Sequence, residues 1–382
     1  MTDAPSALDP TPWPAADYTT AFAPFVRTTY TATYGGTTIP LWAVQLTISE
    51  TSSPTATLEA DTTAAAADAM AVRGPIVADS LTTQALAILT GYDDHAQARI
   101  FHGIVTEVES RSDGTAHIKA ASWESVHDVL PSPSGTLPWT VPSTATTMDQ
   151  AVLGLTGADW SPIYSPRVYT LGALTAPASY TPFRQQTLDA TDTLLDFLLA
   201  CANSLGQWLR GDQRGRSSAN AFVGYPRNSP SDLLLSDRWS GGTAIDLTPI
   251  TATWTRRRSV DDFADGLLIT ARYKSGGSEV TKTATYRRTP GTIWAPLIRP
   301  IDINYRPGSA FVSGSDRVAQ TWAAAYAART WKLTATCRAV WWLEPGLRAT
   351  IAGTTGTIEA IRFQIDDGTM TIDLRPTVNW TP

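Results

Sequence analysis

Residues 98–130 read ARIFHGIVTEVESRSDGTAHIKAASWESVHDVL, and this stretch decides the fold class. Ile104, Val105 and Val108 lead into Ser112-Asp113-Gly114, and His117, Ile118 and Ala120 lead back out. Aspartate can bond its own backbone two residues on, and glycine enters the left-handed region at no steric cost. An Asp-Gly step between two β-rich runs therefore specifies an antiparallel hairpin.

The same grammar extends in both directions. Upstream, VRTTYTATYGG and TIPLWAVQLTISE form a second hairpin around Gly35-Gly36, ATLEAD adds a short strand, TTAAAADAMAV favours a helical turn or two, and LTTQALAILTGYDD returns to strand. Residues 25–130 are thus expected to form a first β-barrel-like domain, behind a proline-rich arm over residues 1–24 that cannot pair in a sheet. Residues 131–185 carry eight prolines around one helical candidate, TTMDQAVLGL, and read as an irregular connector.

Residues 186–245 read as a helix plus hairpin. Asp192 is the expected N-cap, Leu194, Leu195, Leu198, Leu199, Ala202 and Leu205 form one apolar stripe, and Gly206 ends the helix. QWLR and RSSANAFVG then flank the reversal GDQRG. The tripeptide Arg210-Gly211-Asp212, an adhesion ligand in some extracellular proteins, is accounted for by that turn. Residues 246–312 hold the strands TATWTRRRSV, DGLLITARYK and VTKTATYRR, the first part of a second β-barrel-like region. Residues 313–382 complete it with a helix capped at Ser315, the strand WKLTATCRAVWWL, a turn at Glu344-Pro345-Gly346, and three strands of which the last two are joined at Asp366-Asp367-Gly368. The expected class is mainly β with a few helices.

Composition bounds the function. The chain has 382 residues, 43% hydrophobic and 17% charged, with a net charge of −6 and a pI near 5.3. Proteins that wrap nucleic acid need a cation surplus to displace counterions, and this chain lacks one. Arg256-Arg257-Arg258 and Arg287-Arg288 are its dense basic clusters, each beside a strand, where a solvated face or an acidic partner surface is expected. No apolar run is long enough for a membrane-spanning helix, and the N-terminus lacks the layout of a secretory signal. Cys201 and Cys337 are expected to be buried free thiols.

No catalytic motif survives inspection. His95, His102, His117 and His127 cluster in the first domain without ligand-like spacing and are expected at surface or rim positions. The pairs Asp93-Asp94, Asp261-Asp262 and Asp366-Asp367 are adjacent, so extended backbone would point their carboxylates apart, and turn chemistry explains the first and last. Of the fourteen tryptophans, Trp42, Trp123, Trp208 and Trp322 fall at core-like positions. Trp341-Trp342 are neighbours, so one of them is expected to face out, into a subunit contact. No enzyme activity, cofactor or metal is expected.

The order of these segments resembles the tail-hub type of minor tail protein from long-tailed bacteriophages, especially those of high-GC actinobacterial hosts. The landmarks are YGGTTIPLWAVQLTISETSSPTATLEAD, ARIFHGIVTEVES, TLLDFLLACANSLGQWLRGDQRGR, SDRVAQTWAAAYAAR, and WWLEPGLRATI followed by GTIEAIRFQIDDGTMTIDLR. Arginine outnumbers lysine 25 to 4, as suits such a genome. The resemblance implies two β-barrel-like domains with helix-bearing domains between them. Three copies would form a ring in which the two barrels alternate, giving a pseudo-sixfold surface that meets a sixfold tail ring.

The expected role is a structural virion protein at the tail tip, made in the host bacterial cytoplasm. Its expected partners are itself as a homotrimer, the distal tail protein, the tape-measure protein and other minor tail proteins or fibres. DNA would meet it only in transit through an acidic channel. Trp341, Trp342, Arg256, Arg257 and Arg258 are the candidate contact residues. With no residues after Pro382, fibre or cell-wall hydrolase activities are expected in other proteins. Two further readings stand beside this one: a carbohydrate- or receptor-binding tail-tip protein using exposed tryptophans, and a hydrolase in residues 131–185 using Asp149 and Asp159.

Overall fold

The hairpin expected within residues 98–130 is present over residues 98–122. Strand β6 (Ala98–Ser110) pairs antiparallel with β7 (Thr115–Ser122), and Val108 stands opposite Ile118. At its tip Asp113 accepts hydrogen bonds from the Thr115 amide at 3.0 Å and the Thr115 hydroxyl at 2.6 Å, and Gly114 takes φ +82°. The computed structural model describes residues 20–49, 56–72, 86–93, 95–122, 125, 139–140, 187–188, 193, 195–196, 207–211, 222–226, 244–259, 266–275, 278–287, 297–303, 331–345 and 347–375.

The remaining N-terminal strands are β1 (Thr28–Tyr34), β2 (Thr37–Ile39), β3 (Leu41–Ser49), β4 (Ala56–Thr63) and β5 (Leu86–Tyr92). Their bonded order is β3-β4-β7-β6-β5-β1-β2. Only Pro40 separates β2 from β3. The two are arms of one bent segment, the first bonded to β1 and the second to β4, so the ladder returns on itself as a barrel. Proline suits this corner because it has no N–H to give to a ladder. Helix α1 (Ala64–Asp68) follows β4, as its alanine run suggested. Its N-cap Thr63 hydroxyl accepts from the Ala66 amide at 3.2 Å.

Shorter elements come next in the chain. β8 (Trp139–Thr140) pairs with β9 (Thr187–Leu188), and β10 (Gln207–Gly211) with β11 (Phe222–Pro226). The second pair is the expected hairpin, with Gly211 opposite Phe222, and the reversal itself, residues 212–221, lies outside the described residues. Thr193 Oγ1 accepts from the Asp196 amide at 3.1 Å, the capping bond that the sequence assigned to Asp192. Leu195 and Asp196 are helical. The rest of that helix, the later helix from Ser315 and the connector helix at 146–155 lie outside the described residues, so the described chain is strand with little helix.

A second closure repeats the logic of the first. β12 (Ile245–Asp246) passes through the short 3-10 turn Thr248–Ile250, which contains Pro249, into β13 (Thr251–Arg257). β14 (Gly266–Ser275), β15 (Ser278–Arg287) and β16 (Ile298–Ile303) then make a separate three-stranded sheet in the order β15-β14-β16. Last come β17 (Lys332–Arg338), β18 (Arg348–Ile351), β19 (Thr354–Gln364) and β20 (Thr369–Arg375). β13 bonds to β17, then β20, β19 and β18, and β18 bonds back to β12. A strand broken at a proline-bearing corner again closes the ring.

The two barrels are one sheet of 13 strands, because the long β19 bonds to two partners in succession along one edge. Residues 354–357 of β19 pair with β18, and Ala360–Gln364 pair with β3. One hydrophobic cluster accordingly takes in Leu46, Leu58, Ile88 and Phe101 from the first barrel and Leu333, Trp341, Ile361 and Phe363 from the second.

Candidate assembly surfaces and the seam between the barrels

The seam is built from aromatic and hydrogen-bonding groups. Tyr92, at the end of β5, is fully buried, and its hydroxyl donates to Ala339 O at 3.0 Å. The Tyr92 hydroxyl oxygen in turn accepts from the Trp341 amide at 2.8 Å. The Trp341 ring lies 6.4 Å from Tyr92 and 5.4 Å from Phe363. On a more exposed flank, Asp366 accepts from Tyr30 Oη and from the Val44 amide, both at 2.6 Å. Burial first, then the hydrogen bond and charge of Asp366, push the Tyr30 phenol well above its usual range. Gly368, at φ +60°, brings the β19–β20 turn so close to β1 that a Cβ there would collide with the Thr28 side chain.

The chain before β1 docks on the second barrel. Arg338 donates to Ala21 O at 3.1 Å and to Pro24 O at 3.4 Å, and Phe22 sits 6.5 Å from the Trp342 ring. Phe25, the residue after Pro24, is 95% exposed.

Both Trp341 and Trp342 lie in the core, which corrects the expectation that one of them faces outward. The parity rule behind that expectation holds only in extended chain. β17 ends at Arg338, and the two tryptophans follow in a turn, where neighbouring side chains can be buried together. Trp42 is corrected in the opposite sense, since it is 38% exposed. Ala43 adopts φ 51° and the β3–β4 register shifts between Trp42 and Gln45. That bulge leaves Leu41 and Val44 as the buried residues and turns Trp42 out.

The arginine cluster does lie at the surface. Arg256 and Arg257 end β13 and Arg258 follows it, all exposed. β13 is unusual in being exposed on both faces. Trp254 stands opposite Ala335 and Arg256 opposite Leu333, so each pair shares one side of the sheet. Ala335 and Leu333 are buried, yet Trp254 is 50% exposed. The core ends beneath β17 and leaves the tip of β13 overhanging. Arg256 lies 5.1 Å from the centre of the Trp331 ring, a cation–π contact.

The outer face of the first barrel is acidic. Across β6-β7-β4, Glu107 and Glu59 flank Lys119, and Glu109 and Asp61 flank His117. Lys119 bonds to Glu107 at 2.9 Å, a contact that raises its pKa. His117 Nδ1 and Arg111 lie 2.9 Å and 3.4 Å from Asp61. His102 departs from the expected rim position. Residues 100–105 of β6 are buried on both sides, and His102 with them. Cys337 is buried as expected, and burial raises its thiol pKa against a smaller opposing effect from the Thr251 hydroxyl at 3.3 Å. Among the described residues no cluster of three or more His, Cys, Asp or Glu is arranged to hold a metal ion, and no helix is long and apolar enough to cross a membrane. Cys201, His127, Trp123, Trp322, Asp94, Asp149, Asp159, Asp261, Asp262 and Arg288 lie outside the described residues, as does the side chain of Trp208.

No protein-family model and no curated protein sequence matches the chain. Solved structures do. A tail protein from Neisseria meningitidis MC58 superposes with a TM-score of 0.58 at 14% identity, covering 93% of this chain and 98% of the other. This chain is similar in fold to phage tail proteins. The 43 kDa tail protein of prophage MuSo2 from Shewanella oneidensis gives a TM-score of 0.53 at 14% identity, with 91% and 98% covered. An E. coli component of the type VI secretion system, itself structurally similar to the T4 bacteriophage tail proteins gp27 and gp5, gives 0.51 at 13% identity, with 92% and 79% covered. Identity this low carries the fold and leaves residue roles to the geometry above. The landmark order in the sequence and the superposition thus point to the same fold over most of the chain.

Proposed function

We propose that this chain is the central hub of a phage tail tip, a structural virion protein that assembles as a homotrimeric ring. The observation that carries the reading is the pair of barrels welded through β3 and β19, in a fold shared nearly end to end with phage tail proteins. A ring of three chains with two barrels each presents six similar modules, which suits a part that joins a sixfold tail ring to a threefold tip. In this reading the distal tail protein lies on one side of the ring. The tape measure and the fibres or host-recognition proteins lie on the other, and DNA passes along the axis. Welding through a continuous ladder and one core fixes the angle between the barrels, as a rigid adaptor requires.

Among the described residues the exposed tryptophans, Trp42 and Trp254, lie on separate barrels, which favours assembly contacts over a flat sugar-stacking platform. The test is the mass of the purified full chain in solution together with negative-stain imaging. A trimer mass and threefold ring views are expected. A monomer at all concentrations would remove the hub reading.

A further inference from the structure

We infer that the tip of β13, presenting Trp254, Arg256 and Arg258, docks on the acidic outer face of β4, β7 and β6 in a second copy of the chain. Three observations converge on that surface.

First, β13 carries side chains on the core side of its sheet that the core does not cover. Trp254 is 50% exposed while Ala335 across from it is buried, which marks a missing layer on that flank. Second, β13 ends the bonded path, with β17 as the partner of residues 253–257 among the described residues. Exposed edges of this kind invite pairing unless they are protected, and arginine keeps stray strands away while admitting an acidic partner. Third, the charges are complementary. A chain of net charge −6 places three consecutive arginines at this tip. Its first barrel gathers Glu59, Asp61, Glu107 and Glu109 on one outer face. Lys119 engages Glu107, and His117 and Arg111 engage Asp61, while Glu59 and Glu109 make no ion pair among the described residues.

Within one copy the two surfaces do not engage each other: among the described residues, Arg256 and Arg258 make no ion pair with Glu59, Asp61, Glu107 or Glu109, whose ion pairs are with Lys119, His117 and Arg111. A contact between two different surfaces of identical chains is head-to-tail, and such contacts close into rings when the rotation allows. The inference rests on the hub reading for that closure and names the residues that would make it.

The experiment measures self-association of the full chain by sedimentation equilibrium at about 50 and about 500 mM NaCl, concentrations that span strong and weak screening. Arg256→Glu with Arg258→Glu should weaken association roughly ten-fold or more, and Glu59→Arg with Glu109→Arg should do the same. All four changes in one chain should restore it, and high salt should weaken the wild type. Circular dichroism melts that match the wild type confirm that each variant is folded. Trp254→Ser, which leaves every charge in place, should also weaken association. Reversals that leave a wild-type oligomer intact, or singly reversed pairs that the four-fold variant fails to rescue, overturn this docking and leave the hub reading standing. A wild type that never associates overturns both.

Discussion

Removal of one oxygen atom, by Tyr92→Phe, tests whether the barrels are fastened where the structure says. The hydroxyl is buried and serves two groups of the other barrel, donating to Ala339 O at 3.0 Å and accepting from the Trp341 amide at 2.8 Å. Phenylalanine keeps the ring and its contacts with Trp341, so packing is nearly conserved. What is lost is both bonds, with a carbonyl and an amide left in a dry seam. Each orphaned buried group costs about 1–3 kcal/mol, and relaxation recovers part of the sum, so the expected destabilisation is about 3 kcal/mol. Urea unfolding followed by tryptophan fluorescence and far-UV circular dichroism measures it. Tyr34→Phe serves as a control within the first barrel, since its hydroxyl accepts one part-buried bond from the Ala71 amide at 2.8 Å and should cost about 1 kcal/mol. A Tyr92→Phe loss below about 1 kcal/mol, or one no larger than the control, would refute the account of the seam.

Asp366→Ala should cost about 2 kcal/mol in the same assay, because it strands the buried Val44 amide, and water reaching the exposed carboxylate site limits the loss. Folding raises the Tyr30 pKa above its ordinary value of 10. The unfolded chain therefore loses that proton first, so stability is intact below about pH 10 and falls above it. Tyr30→Phe should flatten that alkaline decline in pH-dependent melts. Gly368→Ala meets both a φ of +60° and the Thr28 side chain, so it should lower stability by more than about 1 kcal/mol, and adding Thr28→Ala should recover only the steric part. Trp341→Ala should cost about 3–5 kcal/mol in chemical denaturation, the mark of a core side chain. A folded, stable variant defective only in assembly would instead restore the outward-facing reading.

Local patterning made the strands and most reversals legible. Asp113-Gly114 and Asp366-Asp367-Gly368 declare their turns because few other residues tolerate the backbone those turns need, and the capped alanine run after Thr63 declares α1. The landmark order also pointed to the fold shared with solved tail proteins, while the helix-bearing domains it implied lie largely outside the described residues. Of the candidate contact residues, Arg256, Arg257 and Arg258 are exposed as a charge run suggests, and Trp341 and Trp342 are not. A strand's alternation says which side chains share a face, but not where the strand ends. Once β17 stops at Arg338, parity no longer governs the two tryptophans, and one bulged residue in β3 was enough to invert Trp42.

Sequence alone determined the hairpins, the acidic balance and the β-rich order, since each depends on residues within a few positions of one another. Tertiary structure alone decided that β2–β3 and β12–β13 are corners that close rings, that β19 leaves β18 for β3, and that β13 overhangs the core. Backbone donors and acceptors are the same in every residue but proline, so the choice of a strand's distant neighbour is made by the packing of the whole chain and leaves no mark on the strand itself.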